Sequence, residues 1–347
     1  MPAELKTTET NGLMDHGSKP TRSTAPVFIL GCGRSGTKLL YHMLLSSGGF
    51  AVYYSESNAF NLLGLRFGNL RHRKNRQKLL DLWFKSMLFK RSGLTREEIE
   101  PRLLDKCRNA GDFLCILMEA IARKQGVARW ADSTPLHTLY LPLIKEQIPN
   151  AQIVHIIRDG RDVAVSLNKI KWISPFPWDR RRSLIVAGIF WKWIVSKGRR
   201  YGRAIGRDYF EVHYEDLVNK PQETLAQLGA FLSQELDYDR IQEVSLGAMQ
   251  NPNSSFQGDH AQSEENPVGR WRQLVGGAQL AELESAIGDL LAETGYRESS
   301  AKPGDAGLAV RIMSSLYPVF WDVKLWFKSK TPLARIADLQ RMGVNTD

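Results

Sequence analysis

A glycine-rich turn organises this chain: Gly31-Cys32-Gly33-Arg34-Ser35-Gly36-Thr37-Lys38. It follows the apolar run Val27-Phe28-Ile29-Leu30 and precedes a helical run that begins at Leu39. Strand, turn and helix in this order suit a phosphate-binding loop, because glycines let the backbone approach an anion and the first N–H groups of the helix point at it. A plain tight turn is the alternative, but the two flanks favour anion binding.

The bulk composition is that of a globular protein with an anionic partner. The chain has 347 residues, 43% hydrophobic and 24% charged, which is enough for one large core. Its net charge of +10 suggests a nucleotide, a sulfated or phosphorylated substrate, nucleic acid or a membrane surface as partner, with a merely basic soluble protein as the alternative. Residues 66–78 form a basic run without a nucleic-acid reading module or interleaved aromatic residues, so we expect no nucleic-acid partner.

The cysteines indicate a reducing compartment. Cys32, Cys107 and Cys115 form neither a metal-ligand spacing nor an even-numbered disulfide framework, so we expect a cytoplasmic protein. Cys32 lies near the start of a helix, where the pKa of a thiol can be lowered. We nevertheless interpret it as a small loop residue rather than a nucleophile.

The two ends of the chain differ from its middle. Residues 1–25 are polar, which predicts a disordered tail rather than a secretory signal. No uncharged run reaches the roughly 18 apolar residues of a membrane-spanning helix. Residues 298–347 contain a linker and an apolar, basic helical extension. Its segment 308–330 either packs on the domain or a dimer partner, or makes peripheral contact with an anionic membrane, and the oligomeric state stays open.

A carboxylate follows the first strand predicted after the loop. Residues 50–54 are expected to form a short strand that ends before Ser55-Glu56-Ser57-Asn58. Glu56 at such a strand end is well placed to face the ligand of the loop. The alternative is a helix capped by Ser57 or Asn58 with Glu56 exposed, and position alone does not decide between them.

A second anion site follows a later strand. Residues 129–135 are predicted to form a short strand and turn, and residues 152–157 form the clearest strand, which ends at Arg158. A Mg²⁺-dependent NTPase would place an acidic residue at such a strand end. Arg158 instead suits bidentate anion capture, and Ser166 in the next helix can converge on the same anion. A nucleotide with phosphates at both ends of its ribose would occupy both sites, with no metal indicated.

These segments together resemble the PAPS-dependent sulfotransferases. The residues that carry the resemblance are the loop at 33–37, the turn Asp132-Ser133-Thr134-Pro135, residues 158–166, residues 209–217 with Pro221, and Val268-Gly269-Arg270-Trp271-Arg272. The likeness extends over about residues 26–297, which we take as one domain. It implies an α/β fold with a P-loop-type parallel sheet flanked by helices on both faces, here followed by a helical C-terminal extension. It also implies transfer of a sulfuryl group from 3′-phosphoadenosine 5′-phosphosulfate (PAPS) to an acceptor hydroxyl or amine.

The resemblance also implies residue roles. Backbone groups of Gly33, Arg34, Ser35, Gly36, Thr37 and Lys38 would cradle the 5′-phosphosulfate, with Arg34 on the bridging oxygen. Arg158 and Ser166 would bind the 3′-phosphate. Carbohydrate- and tyrosine-modifying members use a Glu where this chain has Glu56, which makes Glu56 the candidate base. His137 is the fallback base, although we expect it to be a helix-surface residue.

Three departures from the family pattern affect these roles. Lys38 replaces the usual Thr or Ser, and its ammonium either contacts the phosphosulfate or points away. Ser133 replaces a turn lysine, which leaves Arg34, and in part Lys38, as the leaving-group cation. The late segment lacks the Arg-Lys-Gly element of cytosolic members, for which Arg270 or Arg272 would substitute.

Four tryptophans crowd the region after Ser166, namely Trp172, Trp178, Trp191 and Trp193. We expect most of them in the core and one or two in the wall of an acceptor pocket. The expected acceptor is a glycan, lipid, peptide or small alcohol. No motif in the sequence distinguishes between these classes.

Two rival functions stay open at the level of the sequence. A P-loop kinase or NTPase is disfavoured by Thr37 at the position of the Walker lysine and by Arg158 in place of a Mg²⁺ carboxylate. The alternative of a non-catalytic anion-binding module is supported by the absence of the turn lysine.

Overall fold

A computed structural model describes residues 22–249, 267–296 and 307–331. The predicted disordered tail and the linker before the C-terminal extension lie almost entirely outside these residues. The extension itself is described as far as Thr331.

The centre of the molecule is a four-stranded parallel sheet of order β2-β1-β3-β4. Its strands are β1 (Val27–Leu30), β2 (Ala131–Asp132), β3 (Gln152–Ile157) and β4 (Tyr209–His213). Every residue of β1 and β3 is buried. Continuous apolar runs of this kind are typical of parallel strands that carry helices on both faces.

Helices cover both faces of the sheet, as the resemblance predicts. Ile29 of β1 and Val154 of β3 pack towards one helical layer, whereas Phe28 and Ile153 pack towards the other. The α-helices of the described residues are α1 (Thr37–Ser46), α2 (Gly64–Arg66), α3 (Arg73–Trp83), α4 (Met87–Ser92), α5 (Arg96–Lys106), α6 (Ala110–Lys124), α7 (Leu141–Gln147), α8 (Gly160–Lys169), α9 (Ser183–Ile205), α10 (Tyr214–Asn219), α11 (Pro221–Leu232), α12 (Tyr238–Val244), α13 (Trp271–Leu274), α14 (Gly277–Glu293) and α15 (Leu308–Lys330).

The predicted strand at residues 50–54 is wrong. Only Phe50 pairs, through an isolated parallel bridge to Arg129. Two residues on, the side chain of Gln125 accepts from Val52 N at 2.7 Å and donates to Val52 O at 3.0 Å. A side-chain amide thus satisfies the backbone groups that a neighbouring strand would otherwise bind, and the ladder ends after one bridge.

The aromatic residues after Ser166 divide into two groups. Trp191 and Trp193 are buried in the core, whereas Trp172 and Trp178 are 39% and 75% exposed. In the part of the chain that the structure describes, no helix has the length and apolar character needed to cross a membrane.

Candidate anion and active site

The carboxyl ends of the parallel strands bring the predicted site segments to one edge of the sheet. The glycine-rich loop follows β1, the Asp132–Pro135 turn follows β2, Arg158 follows β3 and Tyr214 follows β4. Ligands of open parallel sheets bind at this edge. The structure therefore brings the segments of the two predicted anion sites to the same edge of the sheet.

The loop has the backbone shape of an anion cradle. Arg34 and Gly36 have φ values of 75° and 93°, in the left-handed region. In the described structure no side chain caps the N-terminus of α1 at Gly36. The first N–H groups of a helix have no partners within it, so they are available to an anion.

Two aromatic rings hold the glycines of the loop. A Cβ atom at Gly36 would lie 2.3 Å from the ring of Tyr214, and one at Gly33 would lie 2.2 Å from the ring of Trp172. Both positions therefore require glycine for close approach, and Gly36 also for its φ angle. Trp172 at this place has no signal in the sequence.

Cys32 is not an activated thiol. Its side chain is fully buried, and burial raises the pKa of the thiol well above its ordinary value. Desolvation of the thiolate therefore outweighs any lowering by the helix N-terminus. The interpretation of Cys32 as a small loop residue agrees with this environment.

Arg34, Arg158 and Ser166 meet beside the loop. Arg34 Nε donates to Ser166 Oγ at 2.9 Å, and Arg158 Nη1 donates to the carbonyl oxygen of Arg34 at 3.2 Å. Burial and then the charge of Arg158 lower the pKa of Arg34. Two guanidinium groups held this close create a strong positive potential, which is the requirement for capturing a multiply charged anion.

Some polar atoms at this place lack protein partners. Ser35 Oγ and Arg158 Nε are buried and have no hydrogen-bond partner among the described residues. No hydrogen bond within the described ranges uses the two Nη groups of Arg34. Buried donors are normally satisfied, so such atoms at a loop of this shape point to an anionic ligand.

Arg158 is fixed by contacts from three sides. Its guanidinium lies over the ring of Tyr214 at 4.4 Å, and its Nη2 donates to Pro267 O at 2.6 Å. Asp162, one helical turn further on, lies 3.9 Å from the same Nη2. The side chain is 8% exposed. Tyr214 and Asp162 were missed as site residues, although their signals existed: a residue directly after a strand and an acid at i+4 from Arg158.

The late segment of the motif is docked onto α8. Asp162 accepts from Gly269 N at 2.7 Å and from Trp271 N at 2.9 Å. Burial raises the pKa of Asp162 despite these donors and the charge of Arg158. Gly269 to Trp271 are thus held beside Arg158.

Of the two arginines proposed for the late segment, Arg270 lies close enough for its charge to influence the site. Its charge acts on Tyr214, the ring that Arg158 covers. The guanidinium of Arg272 instead lies over the ring of Trp271 at 4.6 Å. Arg270 is therefore the candidate third cation for the anion held at Arg158.

Glu56 is exposed and belongs to the same edge of the sheet. The residue follows the Phe50–Arg129 bridge, and its carbonyl accepts from Asn58 Nδ2 at 3.1 Å. The adjacent Ser57 is buried and donates from its hydroxyl to the Asp132 carboxylate. A buried hydrogen bond thus ties the Glu56 segment to the turn after β2.

Ser133 connects that turn to the loop. Its hydroxyl donates to the carbonyl oxygen of Thr37 at 3.4 Å. The residue that replaces the family's turn lysine is therefore directly at the start of α1, and a short hydroxyl occupies the place of a cation.

Lys38 is exposed on the first turn of α1. The pKa of His42, one turn further along the helix, is lowered by burial and then by the charge of Lys38. The ammonium therefore lies at the exposed side of the helix start, at the opening of the site.

His137 is a buried structural residue, so its predicted position on a helix surface is wrong. It is 0% exposed, with Nδ1 2.8 Å from Asp132 Oδ2 and Nε2 accepting from Phe60 N at 3.2 Å. Burial opposes ionisation of Asp132, but its hydrogen bond with His137, together with those from Ser57 and Thr134, outweighs burial and lowers the pKa of the carboxyl. Both ring nitrogens of His137 are engaged, which removes it as an acceptor-facing base.

Within the described ranges no group of three or more His, Cys, Asp or Glu side chains could hold a metal ion. The groups that converge at the edge of the sheet are cations, hydroxyls and backbone N–H donors. Such a set can bind an anion at two places and stabilise charge on a leaving group.

A parallel sheet whose first strand enters a glycine-rich loop defines a P-loop-type fold with an anion site. Residues 26–239, more than half of the chain, match the family model described as the sulfotransferase family. The chain belongs to this family and is a sulfotransferase enzyme. Membership implies PAPS as the sulfate donor.

The chain is also similar to individual sulfotransferases. A Caenorhabditis briggsae protein described as "Putative protein-tyrosine sulfotransferase" is 25% identical over 193 residues, which are 54% of this chain and 68% of that protein. The sulfotransferase domain of the Synechococcus PCC 7002 olefin synthase is 18% identical with a TM-score of 0.47, covering 74% of this chain and 90% of that one. A mouse sulfotransferase solved in complex with PAP is 14% identical with a TM-score of 0.42, covering 83% and 89%.

Proposed function

We propose that this sulfotransferase uses PAPS as its donor and Glu56 as the base that activates an acceptor hydroxyl or amine. The observation that carries the proposal is the convergence of Arg158 and Ser166 on the glycine-rich loop. The loop and the Arg158 region form two anion sites on one edge of the sheet. PAPS has anionic groups at both ends of its ribose, so its charges match both sites.

The donor site divides between the two regions. The loop residues Gly33 to Lys38, with the N-terminus of α1, would hold the 5′-phosphosulfate. Arg158 and Ser166, with Arg270 beside them, would hold the 3′-phosphate. The buried and unpartnered Ser35 Oγ and Arg158 Nε fit this division, because each can donate to an anion oxygen.

The chemistry is an in-line displacement in which the acceptor oxygen or nitrogen bonds to sulfur while the bridging sulfur–oxygen bond breaks. Glu56 takes the acceptor proton, a role worth about 10²- to 10⁴-fold in rate. Arg34, assisted by Lys38, stabilises the charge that appears on the leaving phosphate. One such donor typically contributes roughly 3–4 kcal/mol to lowering the barrier.

Ser133 gives Arg34 a larger share of this role. Ser133 has a hydroxyl at the position of the turn lysine. The cations available to the leaving phosphate are therefore Arg34 and Lys38, which belong to the loop itself. We propose that Ser166 donates its hydroxyl to the 3′-phosphate while it still accepts from Arg34 Nε. The Nη groups of Arg34 then serve the bridging oxygen.

The acceptor belongs to one of four classes: glycan, lipid, peptide or small alcohol. A tyrosine hydroxyl is one candidate within the peptide class, since the C. briggsae relative is described as a protein-tyrosine sulfotransferase. Exposed Glu56 is compatible with acceptors too large to be enclosed.

We also propose a subcellular location. Free cysteines suit a reducing, cytoplasmic compartment. The segment 308–330 is the candidate for a peripheral contact with a membrane.

Calorimetry with adenosine 3′,5′-bisphosphate, with and without Mg²⁺, tests the donor assignment. We expect binding that does not depend on the metal, because the site supplies cations from its own side chains. Mg²⁺-dependent binding of ATP in preference to the bisphosphate would overturn the proposal in favour of a kinase or NTPase.

A labelled-donor screen tests transfer itself. Sulfur-labelled PAPS is incubated with separate pools of glycans, lipids, peptides including tyrosine peptides, and small alcohols. We expect label in one pool, and its loss in the Glu56→Gln variant. Tight bisphosphate binding with no transfer to any pool would favour the non-catalytic anion-binding module.

A further inference from the structure

The C-terminal helix α15 is apolar on two sides. On its inner side Val310, Met313 and Tyr317 are buried and pack with residues of α9 and α14. Asp322 on this helix accepts from Trp193 Nε1 at 2.9 Å and pairs with Lys197 at 2.9 Å. These contacts fix α15 on the domain and leave its other side outward.

The outer side carries a continuous apolar surface, which we call the outer stripe. It consists of Ile312, Leu316, Val319, Phe320, Val323 and Trp326, each between 43% and 60% exposed. The spacing of these residues follows the helical period, so they share one face about 21 Å long. A helix that is apolar on two opposite sides is normally covered on both of them.

Trp178 widens this surface. It is 75% exposed, and its ring stacks on Phe176 with centroids 4.9 Å apart and an interplanar angle of 13°. Phe176 in turn lies edge-on against Phe320 of the outer stripe at 5.0 Å. The hydroxyl of Tyr317 accepts from Phe176 N at 2.8 Å and donates to Asp179 at 2.8 Å. Trp178 is therefore held rigidly beside the stripe.

The charges around this surface are basic. Arg311, Lys324 and Lys330 are exposed on α15, and Arg180 and Arg181 are exposed directly after Trp178. Of the acidic residues nearby, Asp322 is paired with Lys197 and accepts from Trp193, and Asp179 is buried under Tyr317. A second copy would oppose cations to cations, whereas an anionic surface complements them.

From these observations we infer that the outer stripe, with Trp178, is a docking surface for the interface of a membrane that contains anionic lipids. Apolar side chains and tryptophan enter the boundary between headgroups and acyl chains, while Lys and Arg remain among the anionic headgroups. The surface lies on α15 and the turn before α9, outside the residues assigned to PAPS.

Vesicle co-sedimentation of the full chain tests this inference. We expect pelleting with vesicles of phosphatidylcholine and phosphatidylserine, and weaker pelleting with phosphatidylcholine alone or at high salt. Val319→Glu should lower the partition onto the anionic vesicles about tenfold or more, because a charge replaces an inserted side chain.

Gln222→Glu is the control, since it adds the same charge at an exposed position of α11, away from α15. We expect it to stay within about twofold of the unaltered chain, as a single exposed charge contributes little. Equal losses in both variants, or no pelleting of the unaltered chain with anionic vesicles, would overturn the inference. A dimer by light scattering that Val319→Glu makes monomeric, without vesicle binding, would instead assign the stripe to a second copy.

Bisphosphate binding by calorimetry serves as the folding control for both variants. Because the stripe does not include the donor site, both variants should bind adenosine 3′,5′-bisphosphate as the unaltered chain does. A failure of that binding in the unaltered chain would defeat the proposed function, and leave the vesicle result to stand on its own.

Discussion

The donor side and the acceptor side of the site are built differently. On the donor side, Arg158 is held by a ring, a carbonyl and a carboxylate, and it is 8% exposed. On the acceptor side, Glu56 is exposed at the opening. The backbone around Glu56 is anchored through the buried Ser57.

This difference separates two requirements. Binding an anionic nucleotide requires cations that are positioned in advance, so those side chains are packed and hydrogen-bonded. Accepting a second substrate requires an open edge, so the candidate base is exposed. Changes on the donor side should therefore affect nucleotide binding and stability, whereas changes on the acceptor side should affect turnover alone.

The largest expected effect belongs to the acceptor side. Glu56→Gln should lower transfer about 10²- to 10⁴-fold, because the amide cannot take the acceptor proton. Affinity for adenosine 3′,5′-bisphosphate by calorimetry should not change. Glu97→Gln, on the first turn of α5, is the control and should leave both quantities intact. Normal turnover in Glu56→Gln would show that Glu56 is not the base. It would also contradict the proposed difference between the donor side and the acceptor side.

The next effect concerns the cradle on the donor side. Gly36→Ala should destabilise the fold by roughly 2–4 kcal/mol, since the methyl group meets the ring of Tyr214 and alanine resists a positive φ. Thermal unfolding measures this change. Gly126→Ala is the matched control, because Gly126 has φ of 70° and nothing within 4 Å of its would-be Cβ. A melting temperature equally lowered in both variants would show that the ring does not constrain the loop.

A smaller effect is expected at Tyr214, the support of Arg158. Tyr214→Leu removes the ring under the guanidinium and should weaken bisphosphate binding about 2- to 30-fold, as cation–π contacts contribute about 0.5–2 kcal/mol. Tyr214→Phe keeps the ring and should bind nearly as the unaltered chain does. Equal affinity in Tyr214→Leu would mean that the remaining contacts suffice to hold Arg158.

The smallest effect concerns Lys38 at the opening. Lys38→Ala should raise the pKa of His42, because the neighbouring charge that lowers it is removed while burial remains. Titration of the His42 ring by NMR measures the change. The same variant should lose less than about tenfold in transfer, since an exposed ammonium contributes about 1 kcal/mol at most. A loss of a hundredfold or more would assign Lys38 to the cradle.

The sequence predicted the donor side better than the acceptor side for a physical reason. The glycine spacing, the buried runs of β1 and β3, and Arg158 at a strand end are local patterns, and parallel strands bring their ends to one edge without further information. The predicted strand at residues 50–54 failed because Gln125, distant in sequence, takes its hydrogen bonds.

Contacts between side chains that are distant in sequence were also not predicted. His137 reads as a residue on a helix surface, but Asp132 and Phe60 enclose it. Trp172 covers Gly33 from a turn that no motif marks. Burial of this kind depends on which elements pack together, which the periodicity of one segment does not contain.

The donor site is proposed to bind both ends of one nucleotide, and calorimetry with two ligands tests this. Adenosine 3′,5′-bisphosphate should bind about 10- to 150-fold more tightly than AMP, which lacks the 3′-phosphate, since charged hydrogen bonds contribute about 1.5–3 kcal/mol. Arg158→Ala should abolish this preference while retaining the affinity for AMP, and Arg272→Ala should preserve it. A preference for the bisphosphate that persists unchanged in Arg158→Ala would contradict the two-ended site.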